Sequence, residues 1–400
     1  LILFLHFLHT SVKNKKLWLQ KRIEPFLTPN INGKGITSTI SPLLENPKIF
    51  LNWRSVLRPK EIYAEWLRIF AAWTVVFQHT VTSAWYCVPV DSDNFLYLNL
   101  LNSFLRFGVG VFVMISGAFM LSPQYAHPPE KIFKHNLPKL LALIVFWVIF
   151  YGIMDALDGD ISAEEVLSAP LLIFTKPHTH LWFLYVIAGL YILTPPLRVF
   201  TEHASRRMVL YCIFLFLAFG LCLPTLNHLL TAFFDFPLYK NLEIRGLSSF
   251  AGYYLAGFYL AHYGIPKISR RILYGLMLIS WALAFGASTY VSDLRNAPNE
   301  YFFGNFRPTT FLMAAGVFCF ARERFGSRTT ANPIFLSLSQ AMLGVYLVHP
   351  IFIRIFYGLD FSLLYWHPVL SAPLAASVFF ALSVLVVMLA RRIPFLKKVF

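Results

Sequence analysis

Apolar residues in this chain gather in long unbroken runs separated by short charged breaks, without the alternation of a membrane β-barrel. Several runs approach the roughly 20 residues needed to cross a hydrocarbon core about 30 Å thick. Because hydrocarbon offers the backbone no partners, each run must satisfy its own N–H and C=O groups as a helix. The pattern predicts an all-α, polytopic integral membrane protein of about ten transmembrane helices, at residues 62–84, 100–121, 140–157, 181–197, 208–226, 247–263, 272–290, 308–321, 334–357 and 368–389. The fourth, sixth and eighth are short.

The pattern starts late. Residues 1–10 are apolar but too short to span, and Lys13, Lys15 and Lys16 follow them, the reverse of the order in a secretory signal. Residues 28–60 carry no pattern and no Met opens the chain, so residues 1–57 read as a poorly patterned basic leader from a fragment, an unusual start or an added segment. Residues 58–400 form the transmembrane domain.

Composition agrees with a membrane location: 57% of residues are hydrophobic, 13% are charged and the mean hydropathy is +0.61, whereas soluble domains carry about a quarter charged residues. A net charge of +15 raises nucleic acid as a partner, but the cations sit in small clusters beside apolar runs and no nucleic-acid motif is present. Topology accounts for them. Connections after the even-numbered spans hold twelve Lys and Arg (Lys131, Lys134, Lys139, Arg198, Arg206, Arg207, Lys267, Arg270, Arg271, Arg322, Arg324 and Arg328). Those after the odd spans hold six (Lys176, Lys240, Arg245, Arg295, Arg307 and Arg354). Cytoplasmic loops are the cation-rich ones, so both termini are expected in the cytoplasm, which requires an even number of spans. Three of the four cysteines, Cys212, Cys222 and Cys319, fall in apolar runs and Cys87 stands alone, so neither a disulfide nor a structural zinc is expected.

Ionisable groups inside a span are costly enough to be functional candidates. The first span carries Glu65, Arg68 and His79. Arg68 and His79 are eleven residues apart, about three helical turns, which puts them on one face some 16 Å apart along the axis. A histidine at that depth keeps a neutral ring and can serve as a base, while the arginine stays charged and can bind phosphate or carboxylate. Snorkelling of Arg68 and a carbonyl partner for His79 are the structural alternatives. In the second span Arg106 either snorkels or holds an anionic or hydroxyl-rich substrate, and the Ser116-Gly117 step suits close helix packing. The fourth span opens His178-Thr-His180-Leu-Trp182, where no further ligands complete a metal site and the aromatic suits either an interfacial belt or a sugar platform. In the ninth span Tyr346 to His349 precedes Pro350, which frees a backbone carbonyl that some neighbour must satisfy. Nucleotide-binding loops, a nucleophile elbow and a His-Glu-x-x-His motif are absent, so any chemistry is intramembrane.

These segments resemble the acyltransferase-3 family of bacterial membrane O-acyltransferases, whose most specific mark is an Arg, ten residues and a His in the first span. Arg68 and His79 match it; Arg106 with Ser116-Gly117, His180-Leu-Trp182-Phe and Tyr346 to His349 resemble its other blocks. The likeness looks nearest to members that O-acetylate enterobacterial common antigen. Glu65 departs from the Asp usual three residues before the Arg, and Phe70 is bulkier than is common nearby. The resemblance implies a multi-pass protein of the bacterial inner membrane that transfers an acyl group, usually acetyl from acetyl-CoA, to a hydroxyl of an envelope polysaccharide or its lipid-linked precursor. It implies no permanently bound cofactor. Arg68 and His79 would be catalytic, with His79 as a base or as an acyl carrier. Glu65, Arg106, Ser116, His180, Trp182, Tyr346 and His349 would bind substrate. The competing reading is a transporter or flippase for a glycolipid or small solute, which should show internal repeats and broken helices around a midplane site. A third, a membrane partner without activity, needs larger recruiting loops than these.

Overall fold

The computed structural model describes residues 61–125, 127–159, 180–239, 250–327, 332–359, 362–394 and 396, and every regular element among them is a helix. The leader, Lys176, His178, Lys240, Arg245 and Arg328 lie outside the described residues. In chain order the helices are α1 (Ile62–Trp85), α2 (Asp93–Leu105), α3 (Phe107–Met120), α4 (Leu137–Leu157), α5 (Trp182–His203), α6 (Arg206–Leu217), α7 (Leu223–Phe234), α8 (Phe250–His262), α9 (Lys267–Arg295), α10 (Pro308–Phe325), α11 (Pro333–Gln340), α12 (Met342–Gly358) and α13 (Pro368–Ala390). π-Helical turns at Ile132–Asn136 and Ala218–Cys222 lead into α4 and α7 just ahead of Pro138 and Pro224, which cannot donate the next helical hydrogen bond.

Every predicted span overlaps a helix or a closely joined pair of helices. Six are long and apolar enough to cross a membrane: α2 with α3, α4 with its preceding turns, α5, α6 with α7, α9 and α13. The pair α11 and α12, bent by 61°, makes a seventh if taken as one span. The predicted spans that fall short are α1, α8 and α10, and position explains why.

These three, with α3, form the interior. The α2–α3 span is 72% buried, whereas α9 is 17% buried and α5 and α6–α7 are each 22% buried. All but one of the residues from Phe250 to Leu260 are buried. A helix enclosed by protein needs less hydrocarbon character than one facing lipid, so its polar positions survive. The outer helices do the reverse and expose Leu210, Phe214, Leu278, Leu283, Leu370 and Leu385.

The most extensive helix contact is between α3 and α8. It rests on two glycines: a Cβ on Gly117 would stand 1.8 Å from the Tyr254 carbonyl oxygen, and one on Gly257 would stand 1.9 Å from that of Met114. The packing role suggested by the Ser116-Gly117 step is therefore real for Gly117. Ser116 itself is half-buried beside that contact.

Successive spans run up and down. The start of α1 meets the ends of α3, α8 and α10, where Glu61, Ala118, Ala261 and Arg322 line adjoining cavities. Arg198 donates to the Met120 carbonyl at 2.8 Å, Arg206 to Tyr259 at 3.0 Å and Arg391 to the Ser337 carbonyl at 3.3 Å, all at this basic end. The opposite end is tied by Ser83 to Tyr357 at 2.8 Å and Asn99 to Thr289 at 2.9 Å.

Candidate active site

α1 runs unbroken for 24 residues and delivers its polar groups to both ends. Near the basic end Arg68 Nη1 stands 2.6 Å from Glu65 Oε1, one turn away, and its guanidinium lies 5.2 Å from the Phe119 ring centroid. The other Glu65 oxygen accepts from Ser339 of α11. The Glu65 carboxylate therefore links α1 to α11 while it orients Arg68. Phe119 also lines a cavity of about 140 Å³ that adjoins a polar one of about 370 Å³ lined by Arg270, Arg322 and Glu323. Glu61, shared by both, has its carboxyl raised above the ordinary range by burial, with the Arg322 guanidinium opposing that shift.

About three turns further along, His79 lines an open cleft at the opposite end. The cleft measures about 350 Å³ and is completed by Thr82, Ser83, Tyr86, Tyr151, His180, Pro350, Ile353 and Arg354. His79 makes no side-chain hydrogen bond with a described residue, so its ring is not spent on a carbonyl. Its ring centroid lies 5.1 Å from that of His349, which is 6.2 Å from His180 and 6.0 Å from Tyr346. Four residues singled out from three distant stretches of sequence thus form one cluster.

Pro350 organises the back of this cluster. Its missing N–H leaves the carbonyl of residue 346 without its helical donor. His349 Nδ1 lies 2.7 Å from that Tyr346 oxygen, and since a carbonyl only accepts, Nδ1 carries the proton. The next carbonyl, Leu347, accepts from the Tyr151 hydroxyl at 2.6 Å. Tyr151 is the residue sequence reasoning missed. It sits in an apolar run like any interfacial aromatic, and the carbonyl orphaned by Pro350, that of Tyr346, is met by His349 itself, so no local signal pointed to Tyr151. Tyr151→Phe removes that donor alone and should cost about 1 kcal/mol, read as a lower melting temperature of the detergent-solubilised protein.

The remaining candidates lie around or away from the cluster. Arg106, in the break between α2 and α3, neither snorkels nor stands open: its side chain is 12% exposed, 2.7 Å from Glu300 Oε2, and its guanidinium stands 4.9 Å from the Phe303 ring centroid. It also donates to Asn102 Oδ1 at 3.2 Å, which accepts from Thr82 in the cleft wall at 3.2 Å. Trp182 stacks on Phe250 at 5.8 Å, joining α5 to α8. Arg354, counted from sequence only as a loop cation, faces the cleft and pairs with Asp155 at 2.6 Å and with Asp158, clamping α12 to α4. Among the described residues no group of three or more His, Cys, Asp or Glu is placed to hold a metal ion.

The profile of the acyltransferase-3 family, described as an acyltransferase domain, matches residues 61–392. The chain belongs to the acyltransferase-3 family. Neither the curated proteins nor the solved structures compared with it gave a match. The matched span contains all the helices α1–α13 and every candidate residue above. The protein is therefore a multi-pass membrane acyltransferase. Of the features a carrier would need, one is present, the broken α11–α12 pair; yet the helix holding the candidate base is continuous.

Proposed function

We propose that this acyltransferase moves an acyl group, acetyl above all, from acyl-CoA at the cytoplasmic face to a hydroxyl of a bacterial envelope polysaccharide or its lipid-linked precursor at the outer face of the inner membrane. The observation that carries this reading is the placement of His79: a histidine without a hydrogen-bond partner among the described residues, at an open cleft, on the same helix as an arginine at the opposite, cation-rich end. Cation-rich ends face the cytoplasm. There Arg68, oriented by Glu65, would meet the phosphates of CoA as it enters beside Phe119, and the pantetheine arm would carry the thioester towards His79. No resident cofactor is needed.

In this reading His79 takes the proton of the acceptor hydroxyl as its oxygen attacks the thioester carbonyl carbon. The carbon–sulfur bond breaks, and the departing CoA thiolate receives that proton from His79. His180 and Tyr346 support the acceptor side, where aromatic and imidazole edges suit a sugar. Arg106 and Trp182 hold the wall behind it, and Ser116 lies on α3 between the two ends. The acceptor in this reading is a glycan of the enterobacterial-common-antigen type, meeting the cleft beside Arg354, which is itself paired with Asp155 and Asp158.

Mass spectrometry of envelope glycans from cells with and without the gene tests this. Loss of the net mass of one acetyl substituent per modified sugar is the expected result; unchanged glycans in the deletion would sink the proposal.

A further inference from the structure

The reading above gives His79 the chemistry but leaves His349 unexplained. His349 is wholly buried, and its Nε2 has no hydrogen-bond partner among the described residues. A buried nitrogen left bare is costly, and proteins retain few of them without a use. Its state is also fixed. With the proton held on Nδ1 by the Tyr346 carbonyl at 2.7 Å, the neutral ring presents Nε2 as a lone pair and nothing else. That carbonyl is available because residue 350 is proline, so the His-Pro step builds a histidine of one tautomer.

The ring nearest to that of His349 within the cluster is His79, centroid to centroid 5.1 Å, against 6.2 Å for His180 and 6.0 Å for Tyr346. Two imidazoles joined by a direct N–H···N bond stand with centroids roughly 5 Å apart, from an N···N distance of about 3 Å plus the two ring radii. The 5.1 Å between His79 and His349 is the spacing that such a pair requires.

We propose that His349 is the positioning residue for His79: its Nε2 accepts the N–H of His79, which leaves the other His79 nitrogen as a lone pair facing the cleft. This inference rests on the acyl-transfer reading. His349 exchanges no proton in the reaction. The hydroxyl proton goes to the cleft-facing nitrogen of His79 and on to the CoA thiolate, while Nδ1–H of His349 stays on the Tyr346 carbonyl. The arrangement has the logic of a catalytic triad, with a carbonyl-locked histidine in the orienting place.

The test uses the purified full chain in proteoliposomes with acetyl-CoA and the envelope glycan fraction extracted from cells lacking the gene. His349→Ala should lower kcat about a hundredfold with the KM for acetyl-CoA within about threefold of wild type. His349→Gln, whose amide oxygen can also accept from His79, should recover at least about tenfold of that loss. Pro350→Ala returns an N–H to the Tyr346 carbonyl, frees His349 to change tautomer, and should lower kcat about tenfold without altering the melting temperature by more than a few degrees. A His349→Ala loss below about tenfold, a Gln variant no better than Ala, or a Pro350→Ala protein with full kcat overturns the proposal. Wild-type protein that transfers no acetyl brings down the reading beneath it as well; active wild type with active His349→Ala brings down this inference alone.

Discussion

His79→Ala should abolish acyl transfer, with kcat falling by about a thousandfold or more, which corresponds to about 4 kcal/mol of transition-state stabilisation. The residue sits on a helix surrounded by protein and neither ring nitrogen has a hydrogen-bond partner among the described residues, so alanine breaks no bond seen in the structure and removes only the functional group and the contact to His349 proposed above. The melting temperature should stay within a few degrees, and the KM for acetyl-CoA should stay within about threefold, because the proposed function places the donor's phosphates at the other end of α1. Arg68→Ala supplies the contrast. It should raise the KM for acetyl-CoA about tenfold with a smaller effect on kcat, since the phosphate contact proposed for it would act before and during reaction alike. Steady-state kinetics on both variants separate the two ends of the helix. A His79→Ala protein with more than a tenth of wild-type kcat removes it from the chemistry.

Gly117→Val should prevent stable folding. A Cβ there would overlap the Tyr254 carbonyl at 1.8 Å, and that atom is backbone in the middle of α8, so no side chain can swing aside. The reciprocal contact, Gly257 against Met114, means that the two helices cannot separate at one point without opening the other. Overpacking a core typically costs about 1–3 kcal/mol, and a clash of backbone with Cβ at the largest interface in the molecule belongs at or above the upper bound. We expect Gly117→Val to be recovered in low yield and aggregated by size-exclusion chromatography. Gly286→Ala, on α9 where an added Cβ meets nothing within 4 Å, should behave as wild type or better. Equal yields of the two variants would contradict the packing described here.

These two predictions also show what the linear pattern conveys. The outer spans were legible because lipid-facing helices must be apolar along their whole length, as Leu278, Leu283 and Leu370 illustrate. The interior was legible only in part. α1, α8 and α10 are screened from lipid, so their composition relaxes and the segments read short or polar. The bend of 61° between α11 and α12 had no warning from Ala341, a good helix former, and falls nine residues before the proline that sequence would blame.

The candidate site divides in the same way. Arg68 and His79 could be placed on one face because they share a helix and a period. That His180, Tyr346 and His349 converge on His79 follows from how α1, α5 and α12 pack, which no local spacing encodes. For Arg106 the sequence left snorkelling and substrate binding open, because its partner, Glu300, lies 194 residues away in a loop. Tyr151 was invisible for a similar reason, since the Leu347 carbonyl that it meets lies 196 residues away on another helix.

The enclosed position of α1 bears on how the protein is made. Polar and charged residues lower the preference of a segment for hydrocarbon when it is handed to the bilayer by itself, and α1 carries Glu65, Arg68, Gln78 and His79. It precedes the other described helices in the chain and is poorly suited to remain alone in lipid. Its stable residence depends on α3 and then α8 and α10 arriving to wrap it. The helix that carries His79 is in this sense a guest of its own successors, and a chain cut short after it would leave a segment that the bilayer holds poorly.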